Sequence, residues 1–507
     1  MFQSLYDGCM KVGAALIKKL DLKDGDCLLV YGYNSWEFLC AVIAGLAAGA
    51  LVRTMRAMDS DYEVIQELAQ MKVSYIFITD EKRQLANIIK QEMEQKNLKD
   101  LKHIIIIDNA WEEKEFYALR MLIRDCDHQL TDSEVYDPKG NQETIAMILE
   151  SSGTEGPVKG VLLGHYDLAT VFAKSNIFDV KENDILSGHS FIGHLSGLAT
   201  NFLSIIYGSK LVSFRVPNAD SILEAITQYK ITVGLFSPYY LDLMQTNMKG
   251  KRNINLNSLT QVFVSGSRLS KKTTEEFLWK QKECKVFGNV YLLTEATGIL
   301  MLAINHPNVD SIGNVAAGVQ AKVINAKGEL LGANKIGELC VKPVIKFKGY
   351  HNDKESTDRI LDKHGWLHTS DIGYFDNNEN FYIIDHSHNV IRRGDEIFSP
   401  VEVEAVLLQH FAVKEVCCVG RRDGIHAFVI PDELFKENVT SSDIKTFVNN
   451  KVNNNRKIRG VHFVPKIPRT DFGKVLREKL CLIYNHILQE HKHRRSQTNL
   501  TQIPENK

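Results

Sequence analysis

Two hydrophobic periods alternate along this chain. CLLVYG (27–32), VSYIFIT (73–79) and KHIIIID (102–108) are short runs of consecutive apolar, often β-branched residues. Helical spacing fills the stretches between them, near 35–50, 60–71 and 81–97. A run that is apolar on both faces fits a strand inside a parallel sheet, with the intervening helices covering that sheet. The alternation resumes with KLVSFR (210–215), ITVGLF (231–236), QVFVSG (261–266) and KVFGNVYLL (285–293). From SIGNVAAGVQAKVIN to ELLGANKIGELCVKP, short strands with dense turn residues predict a small antiparallel subdomain. After FYIID (381–385) a new cycle begins: helix VEVEAVLLQHF, strands VKEVCCVG and GIHAFVIP, helix SSDIKTFVNNKV, strand GVHFVP. The expected fold class is α/β: a large N-terminal domain of parallel sheets flanked by helices with the antiparallel subdomain, over 1–384. A short connection at 385–388 leads to a small α+β domain at 389–484 and a tail at 485–507.

Composition adds limits. A chain of 507 residues is too long for one core, so more than one domain is expected. A net charge of -1 gives no global case for nucleic-acid binding. The nine cysteines form no CxxC pair, which favours buried thiols over a zinc site or disulfides. The longest apolar stretch, WEFLCAVIAGLAAGALV (36–52), is short for a membrane span and reads as a buried helix capped by Asn34 or Ser35. Residues 1–19 lack the order of a secretory signal, and the chain ends PENK rather than in an SKL-type address. A cytoplasmic protein is expected, with peroxisomal entry by another route as the alternative. The basic cluster in HKHRRSQTNLTQIPENK (491–507) reads either as a solvated tail or as a weak contact to anionic membrane surface.

Candidate chemistry concentrates in ESSGTEGPVKGVLLGH (150–165), between the strand candidates TIAMIL (144–149) and VLL (161–163). Ser151, Ser152, Gly153, Thr154, Gly156 and Lys159 supply hydroxyls, unencumbered N–H groups and an ammonium, the inventory a polyphosphate needs. The spacing is not that of a Walker A loop, because Lys159 is followed by Gly160 and a strand. A plain Gly/Ser turn is the competing reading.

Three further segments complete a pattern: NVYLLTEATG (289–298), GWLHTSDIGYFDNNENFYIIDH (365–386) and IPRTDFGKVLREKL (467–480). With the 150–165 loop they resemble the adenylate-forming (AMP-binding) enzymes: acyl-CoA synthetases, beetle luciferases and insect luciferase-like relatives. The resemblance runs from about Tyr6 to Leu480. It implies an ATP-dependent fatty acid:CoA ligase using Mg2+ and coenzyme A through an acyl-adenylate. The 385–388 segment would be a hinge on which the C-terminal domain turns between the two half-reactions. Thr294 would bond the α-phosphate and Glu295 would hold Mg2+; a helix start is the alternative for this pair. Tyr291 would stack on adenine, and the loop SGSRLS (265–270) with Ser267 would border the base. His194, in FIGHLSGL, would lie near the acyl carboxylate, where a satisfied core histidine is the alternative. Asp371 would take the ribose hydroxyls beside His386. Lys474 would bridge carboxylate and α-phosphate; an ordinary solvated helix start is the alternative.

Several positions depart from the family pattern. Glu155 puts a carboxylate in the phosphate loop, and Leu292 stands for a glycine whose backbone lines the acyl pocket. His386 replaces an arginine, giving one donor where a guanidinium offers a fork. Asp395 replaces a glycine beside the thiol tunnel, and the chain starts late relative to the family. These departures keep two alternatives open: a degenerate scaffold that binds nucleotide or acyl ligand with weak or no catalysis, and a luciferase-like adenylating enzyme with poor CoA transfer.

Overall fold

The computed structural model describes residues 2–108, 115–151, 159–173, 178–248, 253–394, 396–470 and 473–483. The chain divides into two compact units. The first takes the chain up to Ser265, then Leu269–Gln320 and Val341–His368; the second takes Gly266–Arg268, Ala321–Cys340 and Thr369 onward.

The first unit is built on two seven-stranded sheets. One contains β1 (Cys27–Gly32), β2 (Leu51–Arg56), β3 (Tyr75–Thr79), β4 (His103–Ile107), β5 (Tyr117–Ala118), β6 (Ile145–Ser151) and β7 (Lys159–Gly164). Their order is β5-β4-β3-β1-β2-β6-β7. β1 pairs parallel with both β2 and β3, and only the terminal β6–β7 pair is antiparallel. These two strands flank residues 152–158 in the chain. Leu28, Leu29, Val30, Ile76, Phe77, Ile105 and Ile106 are buried, as runs apolar on both faces require.

The apolar stretch 36–52 resolves into two elements rather than one helix. Ser35 caps the helix Trp36–Ala47 by accepting from the Phe38 N–H at 3.0 Å. Gly49 at φ +85° then turns the chain, and β2 starts at Leu51. No helix among the described residues is long and apolar enough to cross a membrane.

The second sheet contains β8 (Ile185–Gly188), β9 (Lys210–Ser213), β10 (Val233–Phe236), β11 (Gln261–Val264), β12 (Val286–Leu293), β13 (Gly298–Ile304) and β14 (Asn314–Val315). The order is β14-β13-β12-β11-β10-β8-β9. The strands from β8 to β12 pair parallel, whereas β12–β13 and β13–β14 are antiparallel. Sequence periodicity does not pick out β8, whose four residues ILSG are half polar, nor β13. The reversal into β13 follows the Thr294–Ala296 turn, where Thr297 takes φ +53°.

Most of a four-stranded sheet falls in the second unit: β15 (Gln320–Ile324), β16 (Gly337–Lys342), β17 (Leu367–Phe375) and β18 (Phe381–His386), in that order. A short hairpin, β19 (Ile391–Arg393) with β20 (Glu396–Phe398), precedes a three-stranded sheet of β21 (Val413–Arg421), β22 (Gly424–Pro431) and β23 (Ile458–Phe463). The helices Pro400–Leu407 and Ser441–Asn449 pack on it through Val403, Leu407, Ile444 and Val448. Beneath them Arg477 Nη2 meets Glu404 Oε1 at 2.9 Å, with side-chain exposures of 9% and 11%. All nine cysteines are free thiols; burial pushes Cys417 up to about 12, which leaves it unreactive at neutral pH.

Candidate active site

Glu295 is the focus of the first unit's polar groups. It sits in the Thr294–Ala296 turn at the carboxyl end of β12, where open α/β sheets place their ligands. Its Oε1 accepts from Ser151 Oγ at 3.0 Å and from Tyr350 Oη at 2.7 Å. Ser151 closes β6, so the strand leading into the 152–158 segment is joined to the turn that holds the carboxylate. Lys159 opens β7 on the loop's far side, and its Nζ stands 5.0 Å from the centroid of the Tyr350 ring. The structure therefore brings Ser151, Lys159, Thr294 and Glu295 together. The carboxylate of Glu295 and the hydroxyls of Ser151 and Thr294 are hard oxygen donors, which suit a hard cation such as Mg2+.

Tyr350 is the residue that sequence reasoning missed. Burial raises its hydroxyl's pKa, and the neighbouring Glu295 carboxylate raises it further. The phenol is a hydrogen-bond donor at any working pH. The local sequence, FKGY (347–350), carries no signal of this role.

His194 is the N-cap residue of the helix Leu195–Ile206 and is buried, with its ring edge-on to Phe191 at 5.9 Å. Burial, with Arg56 and Arg53 adding to it, pushes His194 down to about 3, against a hydrogen bond to the Glu150 main chain. It is a neutral imidazole at pH 7, so it can hydrogen-bond a carboxylate without offering it a charge. Its tie to Glu150 places it one residue from Ser151. Arg53 itself is buried between two carboxylates, Glu67 at 2.6 Å and Glu150 at 3.3 Å.

Tyr291 and Leu292 straddle a register shift against β13, a local irregularity of the kind that re-aims side chains beside active sites. Leu292 packs against the cluster of Leu203, Val233 and Phe263, so its side chain is absorbed by the sheet's helix-covered face.

In the second unit Asp371 on β17 lies directly opposite His386 on β18. The His386 and His388 rings are 4.4 Å apart at 57°. Asp385 is spoken for: it accepts from the His386 N–H at 2.8 Å, Asn389 Nδ2 at 2.9 Å and Ser399 Oγ at 2.5 Å. Ser267 is exposed beside Gly266, and the neighbouring Arg268 donates to the Ile384 carbonyl at 3.5 Å. Lys474 sits on a tight loop rather than a helix start. Its N–H donates to Thr470 Oγ1 at 3.2 Å, and its carbonyl accepts from the Thr470 N–H at 2.8 Å. Gly473 makes the turn at φ +79°, a conformation open to glycine without strain. Ser152, Gly153, Thr154, Glu155, Gly156 and Asp395 lie outside the described residues.

Comparison with known proteins identifies the family. Residues 2–351 match the AMP-binding enzyme family model, and residues 402–474 match that of the AMP-binding enzyme C-terminal domain. The chain belongs to the AMP-binding enzyme family. It is 25% identical to a 4-coumarate–CoA ligase-like protein of Arabidopsis thaliana, across 94% of this chain and 87% of that protein. It is 28% identical to the luciferin 4-monooxygenase of Photinus pyralis, across 92% of this chain and 86% of that enzyme. The crystal structure of an anthranilate CoA ligase in complex with anthranoyl-AMP superposes with a TM-score of 0.84 at 21% identity, covering 96% of this chain and 92% of that one. At that identity the likeness speaks for the fold, which is that of this AMP-binding enzyme.

Proposed function

We propose that this AMP-binding enzyme is an ATP-dependent acid:CoA ligase acting through an acyl-adenylate, and that its acid is a fatty acid. The observation that carries the reading is Glu295, aimed by hydroxyls from Ser151 and Tyr350 with the Lys159 ammonium alongside. In this reading Glu295 would hold Mg2+, which would supply charge neutralisation at the departing pyrophosphate, and Thr294 would hydrogen-bond the α-phosphate. Lys159 and the Ser151 end of the loop anchor the phosphates, and Tyr291 and Ser267 border the adenine. His194, neutral, hydrogen-bonds the acyl carboxylate. Asp371 receives the ribose hydroxyls, and Lys474 meets the negative charge that develops between carboxylate and α-phosphate. Coenzyme A then takes the acyl group. The hinge at 385–388 and a cytoplasmic location belong to the same proposal.

The similar proteins are named for coumarate, luciferin and anthranilate, so the test spans both acid classes. Pyrophosphate release is measured with ATP and Mg2+ across C4–C18 fatty acids and a set of aryl acids. Release with a fatty acid is expected. Release with aryl acids alone moves the substrate class, and no release anywhere overturns the ligase reading.

One observation favours the second reading, nucleotide binding with weak turnover: the imidazole of His386 stands opposite Asp371, where the family resemblance calls for a guanidinium. Restoring the fork should recover affinity. His386→Arg is expected to tighten ATP binding by about one charge-assisted hydrogen bond, roughly 1.5–3 kcal/mol. Calorimetry with ATP and Mg2+ reads this directly, and an unchanged Kd removes His386 as the cause of weak turnover.

A further inference from the structure

Tyr350 ties together three segments that are far apart in sequence. Its hydroxyl donates to Glu295 Oε1 at 2.7 Å, the same oxygen that takes the Ser151 hydroxyl at 3.0 Å. The face of its ring receives the Lys159 ammonium at 5.0 Å, within cation–π range. Its backbone is fastened to β7 just behind that lysine: Tyr350 bridges Val161, the Leu162 N–H donates to the Gly349 carbonyl at 3.0 Å, and the His351 N–H donates to the Gly160 carbonyl at 2.8 Å. On the other side the Tyr350 N–H donates to Thr357 Oγ1 at 2.9 Å, and Phe347 packs edge-on at 5.2 Å. The side chain is 8% exposed, so it is fixed by its surroundings rather than by its contact with Glu295.

Two neutral hydroxyls converging on one carboxylate oxygen set the carboxylate's rotation. They occupy Oε1 and direct Oε2 to whatever the turn presents it to. Neutral donors do this without cancelling the carboxylate's charge, as a lysine or arginine in the same place would. The ring meanwhile fixes the height of the Lys159 ammonium on the same side. One side chain thereby spaces an anionic group and a cationic group, which would face a metal ion and phosphate oxygens respectively.

We propose that Tyr350 is a positioning residue of the metal–phosphate site, orienting Glu295 through its hydroxyl and Lys159 through its ring. The inference rests on the adenylation reading for the identity of the bound metal and nucleotide, but its test does not require turnover. Partners that orient metal ligands from behind are worth about 10–100-fold in metal affinity or activity. Tyr350→Phe keeps the ring and removes the hydroxyl; Tyr350→Leu removes both.

Mn2+ serves as the probe, titrated by electron paramagnetic resonance against the full-length protein with saturating ATP. Metal-free ATP binding and thermal unfolding are measured on the same samples. Tyr350→Phe is expected to weaken Mn2+ binding about 10-fold or more, with metal-free ATP affinity unchanged and the unfolding midpoint close to wild type. Tyr350→Leu is expected to weaken metal-free ATP binding as well, because Lys159 loses its platform. Mn2+ affinity within a few-fold of wild type in Tyr350→Phe overturns the proposal. So does a loss of Mn2+ affinity matched by an equal loss of metal-free ATP affinity or by a collapse of the midpoint, which marks a merely structural tyrosine. A wild-type protein that binds no Mn2+ with ATP overturns it too. A wild type that binds Mn2+ in a Tyr350-dependent way yet releases no pyrophosphate with any acid overturns the ligase reading alone.

Discussion

Lys474→Ala is expected to slow acyl-adenylate formation about 10²–10³-fold while leaving thioester formation from a supplied acyl-AMP unchanged, the loss typical of one preorganised contact to developing charge, roughly 2.7–4 kcal/mol. The variant is a clean one, because the loop around Lys474 is held by main-chain atoms and by Thr470, not by the lysine side chain. Gly473 and Arg469, whose Nη1 donates to the Gly473 carbonyl at 2.9 Å, keep the turn in shape when the side chain is cut. Single-turnover measurement of each half-reaction separates the two effects. Equal losses in both would mean that the lysine supports the domain rather than the first transition state. Intact adenylation would remove Lys474 from the mechanism.

The largest expected loss of stability lies in the same unit. Glu404→Ala leaves the Arg477 guanidinium buried without its carboxylate, and breaking a buried pair from one side costs about 3–5 kcal/mol. Burial raises the Glu404 carboxyl while Arg477 opposes that shift, as expected for a charge that is tolerated only because it is paired. The same carboxylate also accepts from the Cys418 N–H at 2.7 Å, so the strand β21 loses a partner as well. Urea unfolding of the second unit's transition reads the change. The double variant Glu404→Leu, Arg477→Met should recover much of it, since two apolar groups of similar volume leave no charge behind. A loss below about 1 kcal/mol for Glu404→Ala would show that solvent reaches Arg477 freely.

Much of the fold was legible because this chain writes many of its strands as short, largely apolar runs. β1 and β22 coincide with CLLVYG and GIHAFVIP to the residue. Where the signal is short or half polar, as in the ILSG of β8, periodicity carries too little information. The 36–52 stretch misled differently: its apolar character is continuous across the helix, the Gly49 turn and β2, so composition marks no break. The interleaving of the two units was not legible either, because residues Gly266–Arg268 join the second unit through tertiary contacts alone.

The site shows the same division. Motif spacing pointed to Ser151, Lys159, Thr294 and Glu295, and these four residues lie together in the first unit. Tyr350 could not be read, because its meaning comes from a contact 55 residues away in the chain. The neutrality of His194 was equally out of reach, since it depends on burial and on two arginines contributed by β2.

The Ser151–Glu295–Tyr350 triangle also has an order in time. Its corners lie 144 and 55 residues apart along the chain. A ribosome adding about 5–20 residues per second delivers Tyr350 roughly 10–40 s after Ser151. Both sheets of the first unit can be complete while Glu295 still has a single hydroxyl to hold it. A nascent chain thus passes through a long interval with its scaffold built and its carboxylate unaimed, until the segment around residue 350 leaves the exit tunnel and folds back onto β7.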